Sequence, residues 1–336
     1  MSLMPYMNTL YTNLAPTNLA NKRLDRFTGD GFSIMTDNFT PADQTILTTI
    51  YQRMKSVYDL WLYMRHSPDY TMFEPFVEYF AGDEALRLGK AFGESTYLYA
   101  PPPENVRKVV HDVRGGALTS MIFVAQTIQR HNLLTNTERM RNFVFLARDH
   151  AKMMRNAILD IDIPTRNADE RFNLHAVSDY IDKWQGIEFD RGECHITVRV
   201  QSSYKGNIAT RCLEASAIDR VLYNFINNAV RFANSEEILL TIFPVGDGTH
   251  SVLRWVVENR LSNNHMLWLQ ENVGDDLSTL FKGGITRGGN GLGLTNCVDF
   301  VSEGFGVSSD TALEQGYIGA QVINRTYYAW FHWNIA

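Results

Sequence analysis

Asn224-Phe225-Ile226-Asn227-Asn228-Ala229-Val230-Arg231-Phe232 closes a run, 215–232, whose apolar residues recur at helical spacing. Leu222, Phe225, Ile226 and Ala229 make a core stripe. Asn224 and Asn228, four apart, then project together from another face of the same helix. An amide oxygen is a hard ligand that suits Mg²⁺, a cation that takes few protein ligands and keeps several waters. Asparagines that simply face solvent on a surface helix would leave the same core stripe.

Working outward, Val256-Val257-Glu258-Asn259-Arg260-Leu261 ends a strand predicted over 251–258. Gly289-Asn290-Gly291-Leu292-Gly293-Leu294 opens a helix predicted over 292–301. Glycines let a backbone curve around an anion, and exposed amides at a helix start favour negative charge. Alternation predicts strands at 195–200 and 238–243, and aromatic and β-branched residues predict closing strands within 320–333. A helix is predicted at 177–184. Strands separated by helices imply an α/β sandwich with helices on one face of a mixed sheet. No GxxxxGK exists, which excludes a P-loop fold.

The first half of the chain is helical by pattern. Thr40-Pro41-Ala42-Asp43 starts a helix with apolar residues at Ile46, Ile50, Met54, Val57, Leu60 and Met64. Ser67-Pro68-Asp69 ends it, and shorter helices are predicted near 71–80 and 82–93. Pro101-Pro102-Pro103 is a stiff break. Beyond it, Val106, Val110, Val113, Ala117, Met121, Val124 and Ile128 form a nearly heptad stripe. Thr135-Asn136-Thr137-Glu138 reads as a capping box, and Met140, Val144, Ala147, Ala151, Met154 and Ile158 form a second stripe. Two such helices make an antiparallel hairpin that cannot bury both stripes alone, so a homodimer pairing into a four-helix bundle is expected. The expected domains are a mainly helical region of unknown role (1–100), the hairpin (101–163) and the mixed α/β domain (164–336), an α+β multidomain chain.

His111 follows the stripe position Val110 and so points about 100° from the dry seam. Asp112 beside it can hold the imidazole tautomer and take the proton released when the other ring nitrogen attacks. Arg114 is a weaker candidate partner for phosphate or carboxylate. His66, His131, His150 and His175 show no metal-ligand spacing, and His150 beside Asp149 warns against over-reading a His–Asp pair.

His111-Asp112-Val113-Arg114 with Gly115-Gly116-Ala117-Leu118 resembles the H-box of sensor histidine kinases. Glycine stands where that family usually has proline, and one extra residue precedes the leucine. Gly115 replaces the Thr or Asn that positions water for dephosphorylation in related proteins. The three segments 224–232, 256–261 and 289–294 resemble the N-box, the Val-x-Asp-x-Gly box and the second glycine box of the histidine-kinase ATPase domain. That fold is shared with gyrase, Hsp90 and MutL. The resemblance implies ATP and Mg²⁺ as cofactors, with Asn228 on the metal, Asn224 beside it and Arg231 reaching the phosphates. It places Asn259 at the adenine amino group, where the family has aspartate, and Leu261 where it has glycine. Gly289, Gly291 and Gly293 would cradle phosphate, while Thr286 and Arg287, in a stretch resembling the lid, would touch its terminal group.

The function implied is an autokinase that phosphorylates His111 and passes the phosphoryl group to an aspartate of a separate response regulator. An ATP-independent histidine phosphotransfer protein with a degenerate pocket is the alternative. A third is a non-catalytic dimeric interaction protein. In the 336 residues, 45% are apolar and 20% charged, which excludes wholesale disorder. The net charge of −6 argues against a nucleic-acid partner held by phosphate neutralisation. Three scattered cysteines suit a cytoplasmic setting, and no apolar run is long enough to span a bilayer.

Overall fold

A computed structural model describes residues 4–19, 27, 33–64, 66–67, 69–98, 101–191, 194–246, 252–287 and 291–336. In chain order the helices begin with α1 (Met4–Asn13), α2 (Pro41–Met64), α3 (Glu74–Ala81), α4 (Asp83–Ala91) and α5 (Glu94–Tyr97). They continue with α6 (Glu104–Arg114), α7 (Gly116–Arg130), α8 (Thr137–Ala157) and α9 (Ile163–Asp169). The mixed part follows: β1 (His175–Ala176), α10 (Val177–Trp184), β2 (Glu188–Arg191), β3 (Cys194–Ser202), β4 (Asn207–Ala209) and α11 (Cys212–Phe232). It ends with β5 (Glu237–Val245), β6 (Val252–Arg260), α12 (Asn263–Asn272), α13 (Gly293–Phe305), α14 (Ser309–Glu314), β7 (Ile318–Ile323) and β8 (Thr326–Asn334). The architecture is mixed α+β, helical first and sheet-based later, as the sequence implies.

The chain divides into two compact units that do not follow the expected boundaries. One, the sheet unit, combines Met1–Thr28 with Phe172–Gly186 and Thr197–Ala336; the other, the helical unit, is Gly29–Arg171 with Ile187–Ile196. The first residues therefore group with the sheet. The rest of the expected N-terminal region shares one unit with the hairpin.

In the helical unit α7 and α8 form the expected hairpin, with Asn136 capping α8 by accepting the Arg139 N–H at 3.1 Å. Both apolar stripes are buried, from Val106 to Ile128 and from Met140 to Ile158. What covers them corrects the expectation. Helix α2 packs on α8 and α3 packs on α7, so the chain's own N-terminal helices supply the partner surface that a second copy was expected to give. The first helix is also not continuous. It breaks between α6 and α7 at Gly115 and Gly116, the latter at φ +45°, which L side chains rarely adopt. A Cβ on Gly116 would lie 3.1 Å from Met153 Cε of α8, so the break lets the two helices approach closely.

In the sheet unit β5 runs parallel to β3, and β5, β6, β8 and β7 follow in antiparallel order. Alternation sorts the side chains. Trp255, Val257, Phe331 and Trp333 face α10, α11 and α13, with Tyr180–Trp255 and Phe225–Phe331 ring pairs at 5.5 and 5.9 Å. Each such fully buried side chain contributes about 1.5–3 kcal/mol over exposure. The opposite face carries Arg254, Glu258, Tyr328 and His332, and the segment after α1 covers it. Tyr11 packs on Phe243 and Tyr328 and donates to Glu258 Oε2 at 2.7 Å.

Candidate functional site

Helix α11 ends where it meets the end of β6. Ala233 bridges Leu261, the Asn234 N–H donates to the Arg260 carbonyl at 2.7 Å, and the Ser262 N–H reaches the Phe232 carbonyl at 3.4 Å. That junction brings the C-terminal end of α11, the helix that bears the asparagines, to the end of β6 that carries Asn259. Asn224, Asn227 and Asn228 are half-buried on α11, and Asn224 spends its Nδ2 on the Arg220 carbonyl at 2.9 Å. Arg231 is exposed, with its guanidinium 5.3 Å from the centre of the Phe232 ring.

Asn259 lies on the helix-facing side of β6, opposite Tyr327 in the register. It is 3% exposed, and its Nδ2 has no hydrogen-bond partner. An unsatisfied buried amide costs about 1–3 kcal/mol, so its retention is what a ligand site would require. The open atom is a donor. A half-turn of the amide presents the oxygen instead, the acceptor that the family resemblance asks for. Leu261, standing where the family has glycine, is buried, and its N–H donates to the Arg325 carbonyl at 2.9 Å.

The glycine turn leads into α13, which begins at Gly293. Gly291 has φ +71° and lies against Gly284, so close that a Cβ on it would meet the Gly284 nitrogen at 3.3 Å. Gly289 lies outside the described residues. Residues 277–281 form a 3-10 helix whose Phe281 is buried edge-on to Phe225 of α11 at 6.4 Å. Helix α13 packs along α11, with Arg220 over the Phe300 ring at 5.0 Å. The end of β6 and the 277–281 turn thus meet the C-terminal half of α11, and α13 packs along the same helix.

Thr286 is exposed. Arg287 is held: its Nη1 donates to the Asn264 carbonyl at 3.1 Å and lies 3.3 Å from His265 Nδ1 on α12.

His111 belongs to the helical unit, in the last turn of α6. Its Nδ1 lies 3.2 Å from Asp112 Oδ1, and the two side chains are 17% and 7% exposed. The imidazole is thus more enclosed than its place beside the seam implies. With Nδ1 on the carboxylate, Nε2 is the nitrogen left for attack. Arg114 is occupied elsewhere, donating from Nε to the Phe92 carbonyl at 2.6 Å.

Two groupings escaped the sequence reading, because their members come from distant segments. One is His265, stacked between Phe232 and Trp268. The other lines a cavity of about 530 Å³ with Arg130, His131, Glu188, Asp190, Cys194 and His195. There Asp190 accepts from Thr127 at 3.2 Å, and His195 Nδ1 lies 2.8 Å from it. Burial pushes the Asp190 carboxyl up, but the His195 hydrogen bond and the Arg130 charge outweigh it and hold it low. The same bond, with the Glu188 charge, raises the His195 pKa. Among the described residues no His/Cys/Asp/Glu group could hold a metal ion.

No family model and no curated protein matches the chain. Solved structures do. The chain is similar to histidine kinases. The catalytic domain of histidine kinase ThkA, nucleotide-free, is 17% identical over 41% of this chain and 79% of its own, at a TM-score of 0.28. Full-length ShkA in complex with AMPPNP is 16% identical over 76% and 46%, at 0.30. The histidine kinase domain of the Erythrobacter litoralis blue-light activated histidine kinase is 11% identical over 68% and 91%, also at 0.30.

Proposed function

We propose that this chain is an ATP-dependent histidine autokinase. The observation that carries the reading is Asn259: a buried amide with an open hydrogen-bonding atom, at the end of β6 that joins the C-terminus of α11. In this reading Asn259 holds the adenine amino group, and the Gly291–Gly293 turn cradles the phosphates at the start of α13. Asn228, with Asn224 beside it, would hold Mg²⁺, which when bound neutralises charge on the phosphates. Arg231 and Arg287 orient the terminal group.

Nε2 of His111 attacks the γ-phosphorus, the bond to the β–γ bridging oxygen breaks, and ADP leaves with that electron pair. Asp112 takes the Nδ1 proton. The phosphoryl group then passes to an aspartate carboxylate of a separate response regulator. Any homodimer would use faces other than the stripes that α2 and α3 cover.

The test is incubation of the purified chain with γ-labelled ATP and Mg²⁺. Acid-labile label on the wild type, absent in His111→Ala, supports the kinase. Leu261 and the neutral Asn259, in place of glycine and aspartate, favour one second reading, a phosphotransfer protein. Label that arrives only from a phosphorylated receiver domain would support that reading and overturn the kinase.

A further inference from the structure

Arg287 is placed in the lid by resemblance, yet it is docked. Its dock is built. His265 is 6% exposed, third residue of α12, with its N–H capped by the Ser262 hydroxyl at 3.3 Å. The imidazole lies flat on Phe232 at 3.9 Å between ring centres and 2° between planes. Trp268 flanks it at 5.5 Å and 7°. Phe232 is the last residue of α11, so this stack fixes the ring at the end of the helix that bears the asparagines. Nothing in the stack uses the ring nitrogens. It aims an imidazole edge at the segment that carries Arg287.

An acceptor at Nδ1 requires the neutral ring with its proton on Nε2. The surroundings enforce that state. Burial first, then the Arg287 and Arg231 charges, push the His265 pKa down to about 4. At neutral pH the Nδ1 lone pair therefore stays open to the guanidinium. The Asn264 carbonyl adds a second acceptor for the same nitrogen.

We propose that His265 is a positioning residue for the lid arginine: it docks Arg287 on α12 in the nucleotide-free protein, so that a terminal phosphate must draw Arg287 away from it. This rests on the nucleotide reading above. Docking then competes with binding, and an arginine is delivered only when a triphosphate is present to claim it.

The experiment titrates the full chain with Mg·AMPPNP. His265→Phe keeps an aromatic ring in the stack and removes the acceptor; about three- to tenfold tighter binding is expected, since a hydrogen bond from a charged donor no longer opposes it. His265→Gln returns an acceptor and should move affinity back toward wild type. In an Arg287→Ala background, His265→Phe should change nothing. Without nucleotide, ¹⁵N relaxation of the Arg287 Nε–H should report an ordered side chain in wild type and a mobile one in His265→Phe. Unchanged or weaker binding by His265→Phe, or an Arg287 side chain equally ordered in both, overturns the proposal. A wild type that binds no Mg·AMPPNP overturns the kinase reading and the competition together, and the relaxation measurement alone then decides whether the dock exists.

Discussion

Replacing Arg254 with methionine should release the N-terminal segment from the sheet. Arg254 is fully buried, and all five of its N–H donors are spent. Nε donates to His332 Nε2 at 2.8 Å, Nη1 to the Tyr11 and Thr12 carbonyls at 2.6 and 2.9 Å, and Nη2 to the Ala15 and Pro16 carbonyls at 2.9 and 2.6 Å. Methionine keeps most of the apolar stem and removes every donor. Stranding each acceptor would cost about 1–3 kcal/mol if the segment stayed in place. Five such losses exceed what one short segment can gain by docking, so the segment lifts and its carbonyls rehydrate. The loss is capped at the docking energy, which we set at about 3–5 kcal/mol, the upper end for point mutants. For a unit of this size that lowers Tm by roughly 10 °C. Amide exchange and limited proteolysis over residues 8–19 should accelerate, while β5 and β8 keep their protection. Arg254→Lys should recover little, since an ammonium offers three donors at one point rather than a fork. A loss under about 1 kcal/mol, with residues 8–19 as protected as before, would refute the claim that the guanidinium is what fastens them.

Asn259→Leu should abolish Mg·AMPPNP binding while leaving Tm unchanged or slightly higher, because it removes an unsatisfied buried amide; calorimetry and thermal melts on one preparation check both halves. The sheet unit should be acid-labile. Burial and Arg254 push His332 down to about 3, and burial with Arg287 and Arg231 pushes His265 down to about 4. Both are depressed bases, so the unfolded chain takes up protons that the fold refuses. Stability is full above about pH 6.5 and falls by up to roughly 1.4 kcal/mol per pH unit for each histidine toward pH 4, as amide exchange of β6 and β8 would read. The 187–196 hairpin has the opposite sign: His195 is raised by Asp190, so its contribution is present below the ordinary histidine value and lost as pH rises through the raised one. Exchange over 188–196 should be faster at pH 8.5 than at pH 6, and His195→Gln should flatten that difference.

Local pattern carried most of the elements into view. Helix α10 spans the residues that its periodicity predicts, and α11 and α13 extend theirs by a turn or less. The closing strands were legible but the turn between them was not placed, because it uses Asn324 and Arg325 at φ +49° and +67°, and arginine there gives no signal. The break between α6 and α7 was hidden because the apolar stripe keeps its spacing across Gly115 and Gly116. The N-terminal segment was illegible because it has no period. Its trace is Arg254, a cation between Val252 and Val256 on one face of the strand. The site residues expected on α11, β6 and the glycine turn rest on the resemblance of three motifs, and spacing adds only that Asn224 and Asn228 share one face of a helix. The contacts of His265 depend on three segments meeting, the end of α11, residues 262–268 and Arg287, and spacing cannot report that.

The same distinction bears on His111. Periodicity says which face of a helix is apolar and is silent about what covers it. The stripe that predicted a second copy is met by helices that precede it in the chain, and their approach reaches α6 beside the histidine. Gly93, at φ +87°, lies so close to α6 that a Cβ would stand 2.8 Å from Val110 Cγ1, one residue before His111. Its N–H donates at 2.8 Å to Asp43, a fully buried carboxylate that also accepts from the Thr96 N–H and hydroxyl at 2.7 and 2.6 Å. Asp43 therefore ties the start of α2 to the loop that presses on α6. Residues 41–96 thus fix the packing of α6 one residue before His111, which gives a region without a motif a physical role.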